Sequence, residues 1–209
     1  LAFFNYPMMQ VANILMPKAH LVPTGEDQQP HIEMSREIAR KFNTIADRDI
    51  FPEPQGLIGR VGRLVGTDGQ AKMSKSLNNA IFFGDSPEDV NKKVRRMFTD
   101  PNRIHATDPG TVEGNPVFIY HDAFNPNQDQ NDDLKQRYRT GKVGDVEVKD
   151  LLSEAINSFL QPFHERRRKF TENTDLVTDA LQSGSRYARS VAQETMSDVR
   201  DALQINYFK

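Results

Sequence analysis

A chain of 209 residues has room for one large domain or two small ones, and its 37% hydrophobic residues supply a core. A mean hydropathy of -0.66, with no apolar run near the roughly 20 residues of a bilayer crossing, excludes a membrane span, and the absence of cysteine excludes disulfides, thiolate metal sites and cysteine nucleophiles. The net charge of -2 excludes a surface coated for nucleic acid but not a local basic face, and with no signal-like start the expected address is cytoplasmic.

The first expected element is a helix that opens at Tyr6-Pro7 and ends before Pro17, with Pro7 in the first turn, where its missing N–H costs nothing. Tyr6, Gln10 and Asn13 fall at i, i+4 and i+7 and share one face, while Met9, Ile14, Leu15 and Met16 pack elsewhere. By residue type alone, the two amides read as solvent-facing. Ala19 to Pro23 is a short apolar run that reads as a buried strand. Thr24-Gly25-Glu26-Asp27-Gln28-Gln29-Pro30 then leads into a helix to about Asn43, with Ile32, Ile38, Ala39 and Phe42 inward. A strand, a glycine turn and a helix N-terminus in succession form the arrangement that receives nucleotides at the carboxyl edge of a parallel sheet. Gly25 permits close approach of a ligand, and Asp27 is either the helix N-cap or a ligand contact.

Arg63 to Asn79 is the hinge of the chain, with α/β patterning before it and helical patterning after it. Gly66, Asp68 and Gly69 free the backbone to turn. Lys72 and Lys75, with Ser74 and Ser76, then form a compact cluster of cations and donors suited to a polyphosphate, whose charge a Lys ammonium follows as it grows. For an isolated KxxK, a solvated basic loop is the plain alternative.

Ser86-Pro87-Glu88-Asp89 is a strong helix start, followed by Val90, Val94, Met97 and Phe98 on one face. Pro101 to Asn115 reads as a loop long enough to suspect mobility, and Pro116 to Tyr120 leads a short helix into the polar Asn125 to Asp133 stretch. Leu151, Leu152, Ala155, Ile156, Phe159 and Leu160 form an amphipathic helix closed by Pro162. Gly184 separates a short helix from a long one whose stripe is Tyr187, Ala188, Val191, Ala192, Met196, Val199 and Leu203. A four-helix layout is the simplest sum. His20, His31, His105, His121 and His164 lack metal-ligand spacing and read as surface or packing residues. The basic runs Lys92 to Arg96, Lys135 to Lys142 and Arg166 to Lys169 read either as solvated helix faces or as a surface for RNA phosphates.

Lys72-Met73-Ser74-Lys75-Ser76 is letter for letter the KMSKS signature, and the chain resembles the class I aminoacyl-tRNA synthetases. Tyr6-Pro7, Asn13-Ile14-Leu15 and Leu21 to Gln28 are similar to the tryptophanyl branch, whose usual forms are YPxLxAADIL and VPVGEDQ. Phe98-Thr99-Asp100-Pro101 and Glu113-Gly114-Asn115-Pro116 extend the resemblance over nearly the whole chain. It implies a fold of class α/β plus α, a partial Rossmann-like catalytic unit followed by a helical bundle domain. The expected boundaries are 1–71 for the second part of the catalytic domain, 72–175 for the KMSKS loop and anticodon-side helices, and 176–209 for C-terminal helices that pack back on the first unit.

The resemblance further implies ATP-dependent activation of tryptophan and its transfer to tRNA(Trp), with Mg2+ accompanying ATP and a homodimer as the assembly. Lys72 and Lys75 are the implied catalytic residues. Gly25, Glu26, Asp27, Leu64, Lys72, Met73, Ser74, Lys75 and Ser76 are implied to border ATP, and Tyr6, Gln10, Asn13, Val22, Thr24 and Gln28 to face the amino acid. Asn13 stands where the branch has an aspartate that accepts the indole N–H; its amide oxygen still accepts, without the charge that makes such a bond about twice as strong. Gln10, one turn away, offers a second acceptor. Thr24 is a further departure. No match to the HIGH-type signature of these enzymes is found, so the sequence reads as the C-terminal part of a longer enzyme, inactive alone. A synthetase-like binding module and a tyrosine-activating enzyme are the alternatives.

Overall fold

A computed structural model describes residues 2–59, 61, 64–69 and 72–207. The chain divides into two compact units, one made of Leu1–Arg63 and Thr174–Lys209, the other of Leu64–Asn173.

In the first unit, helix α1 (Ala2–Leu15) and helix α2 (Gln29–Ala46) meet through Val11, Ile14, Leu15, Ile32 and Ala39, all buried. Strand β1 (Leu21–Thr24) pairs in parallel with strand β2 (Gln55–Ile58), with Leu21 opposite Gln55 and Pro23 opposite Leu57. A β-α-β crossover through α2 is the connection that parallel strands require. Val22 packs against the α1–α2 core, and a Cβ at Gly56 would lie 3.7 Å from Ile32, so this face of the ribbon is the covered one. The opposite face presents Leu21, Pro23, Gln55 and Leu57, all exposed, with Leu21 at 60% and Leu57 at 57%.

Asp47 closes α2 in the left-handed region at φ 49°. The Asn43 side chain then fastens the return, donating to the Phe51 carbonyl (2.8 Å) and accepting from the Ile50 and Phe51 N–H groups (3.0 Å each). Helix α7 (Thr174–Ala202) joins this unit where the buried Thr195 hydroxyl donates to the Met16 carbonyl at 2.8 Å and Asp198 pairs with Lys18 at 2.6 Å.

The second unit holds helices α3 (Pro87–Arg95), α4 (Pro116–Phe124), α5 (Gln128–Arg139) and α6 (Asp145–Glu172). The first three start on side-chain caps. Ser86, Asn115 and Asn127 accept from the N–H groups of Asp89, Val117 and Gln130, each cap worth about 1 kcal/mol. Val90, Val94, Met97, Phe118, Tyr120, Leu134, Tyr138, Leu152 and Ile156 form the shared core, each large side chain adding about 1.5–3 kcal/mol by its burial. His121 lies inside it, fully buried, its Nε2 donating to the Val148 carbonyl at 2.9 Å; burial pushes its pKa below the ordinary 6.5.

Several expectations are corrected here. Pro7 lies inside α1 rather than in its first turn, and Pro162 lies inside α6 rather than at its end. Gly184 interrupts nothing in α7, and the stripe on that helix begins at Val191, since every residue from 174 to 190 is exposed, Tyr187 at 73%. β1 is not a buried strand: none of its residues is fully covered. Met9 is 60% exposed rather than packed. Residues 101–115 form a loop, but a pinned one. Asp100 accepts from the N–H groups of Asn102 (3.0 Å) and Thr111 (3.1 Å), which hold its carboxyl below the usual range. Arg103, with a side chain 1% exposed, donates to the carbonyls of Ala106, Asp108 and Val143, pairs with Asp145 at 3.0 Å, and lies 4.2 Å from the Tyr138 ring centroid. Residues 128–133 of the polar 125–133 stretch form the first half of α5.

Candidate active site

The loop before α3 is built on one residue. Asn79 is 2% exposed and uses its whole amide: Nδ2 donates to both carboxylate oxygens of Asp68 (3.1 Å each) and to the Lys72 carbonyl (3.1 Å), and Oδ1 accepts from the Ser74 N–H (2.7 Å). Its backbone carbonyl accepts from the Thr67 N–H at 2.9 Å, and the Thr67 carbonyl accepts from the Phe98 N–H at 3.0 Å. Gly69 turns at φ 82° and Asn78 at φ 50°, left-handed positions that suit glycine and asparagine. At Gly66 the need is space: a Cβ there would stand 2.4 Å from Asn79 Nδ2 and 2.5 Å from an Asp68 carboxylate oxygen. Arg63, Gln70 and Ala71 of the expected hinge lie outside the described residues.

Around this knot Lys72, Lys75 and Ser76 are exposed, and the Ser74 and Ser76 hydroxyls lie 2.8 Å apart. Neither ammonium pairs with a carboxylate among the described residues, so the loop offers two cations and two hydroxyls to an anion. Met73 points the other way. With Leu64, Ile81, Phe82, Tyr120, Phe124 and Phe159 it lines a cavity of about 60 Å³. The Tyr120 hydroxyl donates to the Val65 carbonyl at 2.8 Å and lies 3.7 Å from Met73 Sδ. Burial, and then the Asp68 charge, push its pKa up to about 12, so it stays a neutral donor.

In the first unit, Tyr6 and Gln10 do come together on α1: Gln10 Nε2 donates to the Tyr6 hydroxyl at 2.8 Å, which leaves the Gln10 carbonyl oxygen as an acceptor. Asn13, one turn on, is exposed. The Tyr6 ring meets His31 of α2 edge to face, centroids 5.7 Å apart, and His31 Nδ1 is buried with no hydrogen-bond partner. Val22 and Thr24 are half-buried and share the covered face of β1, with Gln28, also half-buried, at the α2 entrance. Gly25, Glu26 and Asp27 are exposed and shape a single 3-10 turn. Asp27 is not a cap: Gly25 precedes the 3-10 turn and Gln28 precedes α2, neither with a side-chain cap bond, so the first N–H groups of α2 keep no side-chain acceptor.

Sequence reasoning named the signature letters, took Asp68 only as a turn residue, and missed Asn79 and Tyr120; these three hold the letters in place. An asparagine that closes a glycine-bearing loop was the available signal. Acids match much of the first two basic runs, Lys93 with Asp85, Arg95 with Asp150, Lys135 with Asp122, Arg137 with Glu147 and Arg139 with Glu113, whereas in Arg166 to Lys169 the one ion pair among the described residues is Arg168 with Glu172 at 3.9 Å. Among the described residues no cluster of His, Asp and Glu is arranged to hold a metal ion, and no helix is long and apolar enough to cross a membrane.

Comparison with known proteins follows the same lines. Residues 1–161 match the family model of tRNA synthetases class I (W and Y). The chain is 50% identical over 206 residues to the tryptophan–tRNA ligase of Chlamydia caviae, covering 99% of this chain and 59% of that protein. It is 50% identical over 202 residues to the Treponema pallidum tryptophan–tRNA ligase, covering 97% and 60%. Among solved structures, the tryptophanyl-tRNA synthetase of Campylobacter jejuni complexed with ADP and tryptophan matches with a TM-score of 0.72 at 30% identity, over 97% of this chain and 62% of that one. The chain thus spans about three fifths of the length of these relatives, and it shares their α/β plus helical architecture.

Proposed function

The chain belongs to the family of class I tRNA synthetases (W and Y), and we propose that it serves an enzyme that activates tryptophan with ATP and passes the tryptophanyl group to tRNA(Trp). The observation that carries this reading is the signature loop itself, with Lys72 and Lys75 exposed and Ser74 and Ser76 beside them on a backbone knotted around a buried asparagine.

A tryptophan carboxylate oxygen attacks the α-phosphorus of ATP, the bond from that phosphorus to the bridging oxygen breaks, and pyrophosphate leaves with the negative charge. Lys72 and Lys75 follow that charge as it grows, and the serine hydroxyls donate to phosphate oxygens. Gly25, Glu26 and Asp27 border the nucleotide, with Leu64 and Met73 as the apolar side of the loop. Tyr6, Gln10, Asn13, Val22, Thr24 and Gln28 face the amino acid. No residue acts as nucleophile or general base, since positioning and charge stabilisation carry the step. Mg2+ supplies charge neutralisation on the phosphates of the nucleotide; the exposed lysines and hydroxyls fit that polyphosphate, and the protein contributes no metal cluster of its own among the described residues. A cytoplasmic address and a homodimer belong to the same reading.

Asn13 and Thr24 favour a second reading, a synthetase-like binding module without activation. Pyrophosphate exchange on the full-length protein, with tryptophan and tyrosine side by side, separates the two. Tryptophan-dependent exchange is expected, and Lys72→Ala and Lys75→Ala should each slow it by about 10²-fold or more, the order lost on removing one aimed donor. Normal exchange in both variants would remove the lysines from their role, and exchange with neither amino acid would leave the binding module.

A further inference from the structure

Lys72 and Lys75 have exposed side chains, so the place from which each ammonium emerges is set by the backbone alone. That backbone is held at two points by a single amide, at the Lys72 carbonyl (3.1 Å) and at the N–H of Ser74, the residue before Lys75 (2.7 Å). The same Nδ2 that donates to the Lys72 carbonyl also donates to Asp68 at 3.1 Å, and the Asn79 backbone continues through Thr67 to Phe98, just beyond α3. Among the described residues, no serine or lysine of the signature makes a comparable set of bonds. Gly66 completes the arrangement by leaving the space that the Asn79 amide fills. Electrostatic catalysis depends on charges already in place, and displacements near 1 Å cost it heavily.

We propose that Asn79 is a positioning residue for Lys72 and Lys75, with Asp68 as its anchor, so that the working unit of this loop reaches beyond the signature letters to both its flanks. The inference rests on the activation reading above for its catalytic consequence, but the holding of the loop is testable without it.

Trypsin cuts after lysine, and therefore reports directly on the loop. Limited digestion of the 209-residue chain, followed by mass spectrometry, should show cleavage after Lys72 and Lys75 about tenfold faster in Asn79→Ala than in the native chain, because the hydrogen bonds that oppose a local opening equilibrium are lost. Asn79→Asp should also loosen the loop, since two carboxylates then face each other. The exchanged pair Asp68→Asn with Asn79→Asp should return cleavage toward the native rate: the new amide at 68 donates to the new carboxylate at 79, which still accepts from Ser74. A residue that merely fills space would show no such rescue. In the full-length protein, Asn79→Ala should lower kcat for tryptophan-dependent exchange about tenfold or more and leave KM for tryptophan within about twofold, the split expected when only transition-state stabilisation is lost.

Native cleavage rates in Asn79→Ala, an exchanged pair no better than Asn79→Asp, or an unchanged kcat would each overturn the proposal. If Asn79→Ala fails to fold, Asn79→Asp and the exchanged pair decide it alone. Absence of exchange in the native protein with either amino acid would defeat the activation reading, while the digestion still decides whether Asn79 holds the loop.

Discussion

On the proposed function, the amide at position 13 accepts an indole N–H only through a neutral oxygen, whereas a carboxylate would accept it with charge. Hydrogen bonds to charged groups contribute about 1.5–3 kcal/mol against about 1 for neutral ones, so Asn13→Asp should tighten tryptophan binding by roughly tenfold in equilibrium dialysis. Unchanged affinity would assign the recognition to Gln10, whose carbonyl oxygen the Tyr6 hydroxyl leaves open. His121 concerns stability rather than binding. Buried and neutral, with a pKa below 6.5, it takes up a proton less readily in the folded chain than in the unfolded one. Its contribution is therefore complete above pH 6.5 and is lost as pH falls below that value. Urea unfolding at pH 7 and pH 5 should show a drop that largely disappears in His121→Gln, whose amide can still donate to Val148.

Helix α7 tests how sequence punctuation is read. Gly184 sits in its interior with open space where a Cβ would go, so Gly184→Ala should stabilise the chain by roughly 0.5–1 kcal/mol in chemical denaturation, the helix-interior difference between the two residues. A loss of stability would mean that the glycine serves a bend. The sequence misled at Pro162 because a local signal of about 3 kcal/mol was outvoted by packing, and at Gly184, which lies in an exposed stretch, because one interior glycine costs a helix only about 1 kcal/mol. α6 buries Val148, Leu152, Ile156 and Leu160 before it reaches Pro162, enough to carry the helix through one missing hydrogen bond. Helix α3 was legible because cap, proline and acidic first turn agree at Ser86, whereas α5, capped by Asn127 without a proline, read only as a polar stretch. Around the signature the letters were legible and their supports were not. Asp68 and Asn79 lie eleven residues apart, and no helical or strand period relates them. Arg103 likewise read as a loop residue, and only the fold reveals it as a buried cation among carbonyls of its own loop and of the distant Val143.

Across the whole molecule, the β1–β2 ribbon is the least finished part. Parallel sheets are ordinarily covered on both faces, yet Leu21, Pro23 and Leu57 stand open on one of them. The 209-residue chain alone should therefore self-associate as its concentration rises, and Leu21→Ser with Leu57→Ser should restore a monomer in sedimentation velocity; association unaffected by the pair would point to another surface. The first unit also has an unusual origin, since residues from both ends of the chain build it while the second unit is one continuous stretch. Its closing contacts, Thr195 to Met16 and Lys18 to Asp198, join residues 179 and 180 positions apart. During synthesis all residues of the second unit precede α7, so that unit has its residues before those contacts can form. Domains emerging from a ribosome usually fold in the order in which they are made. Here α1, α2 and the two strands, made before the second unit, lack their contacts with α7 until the second unit has been made, so the earlier segments are completed later.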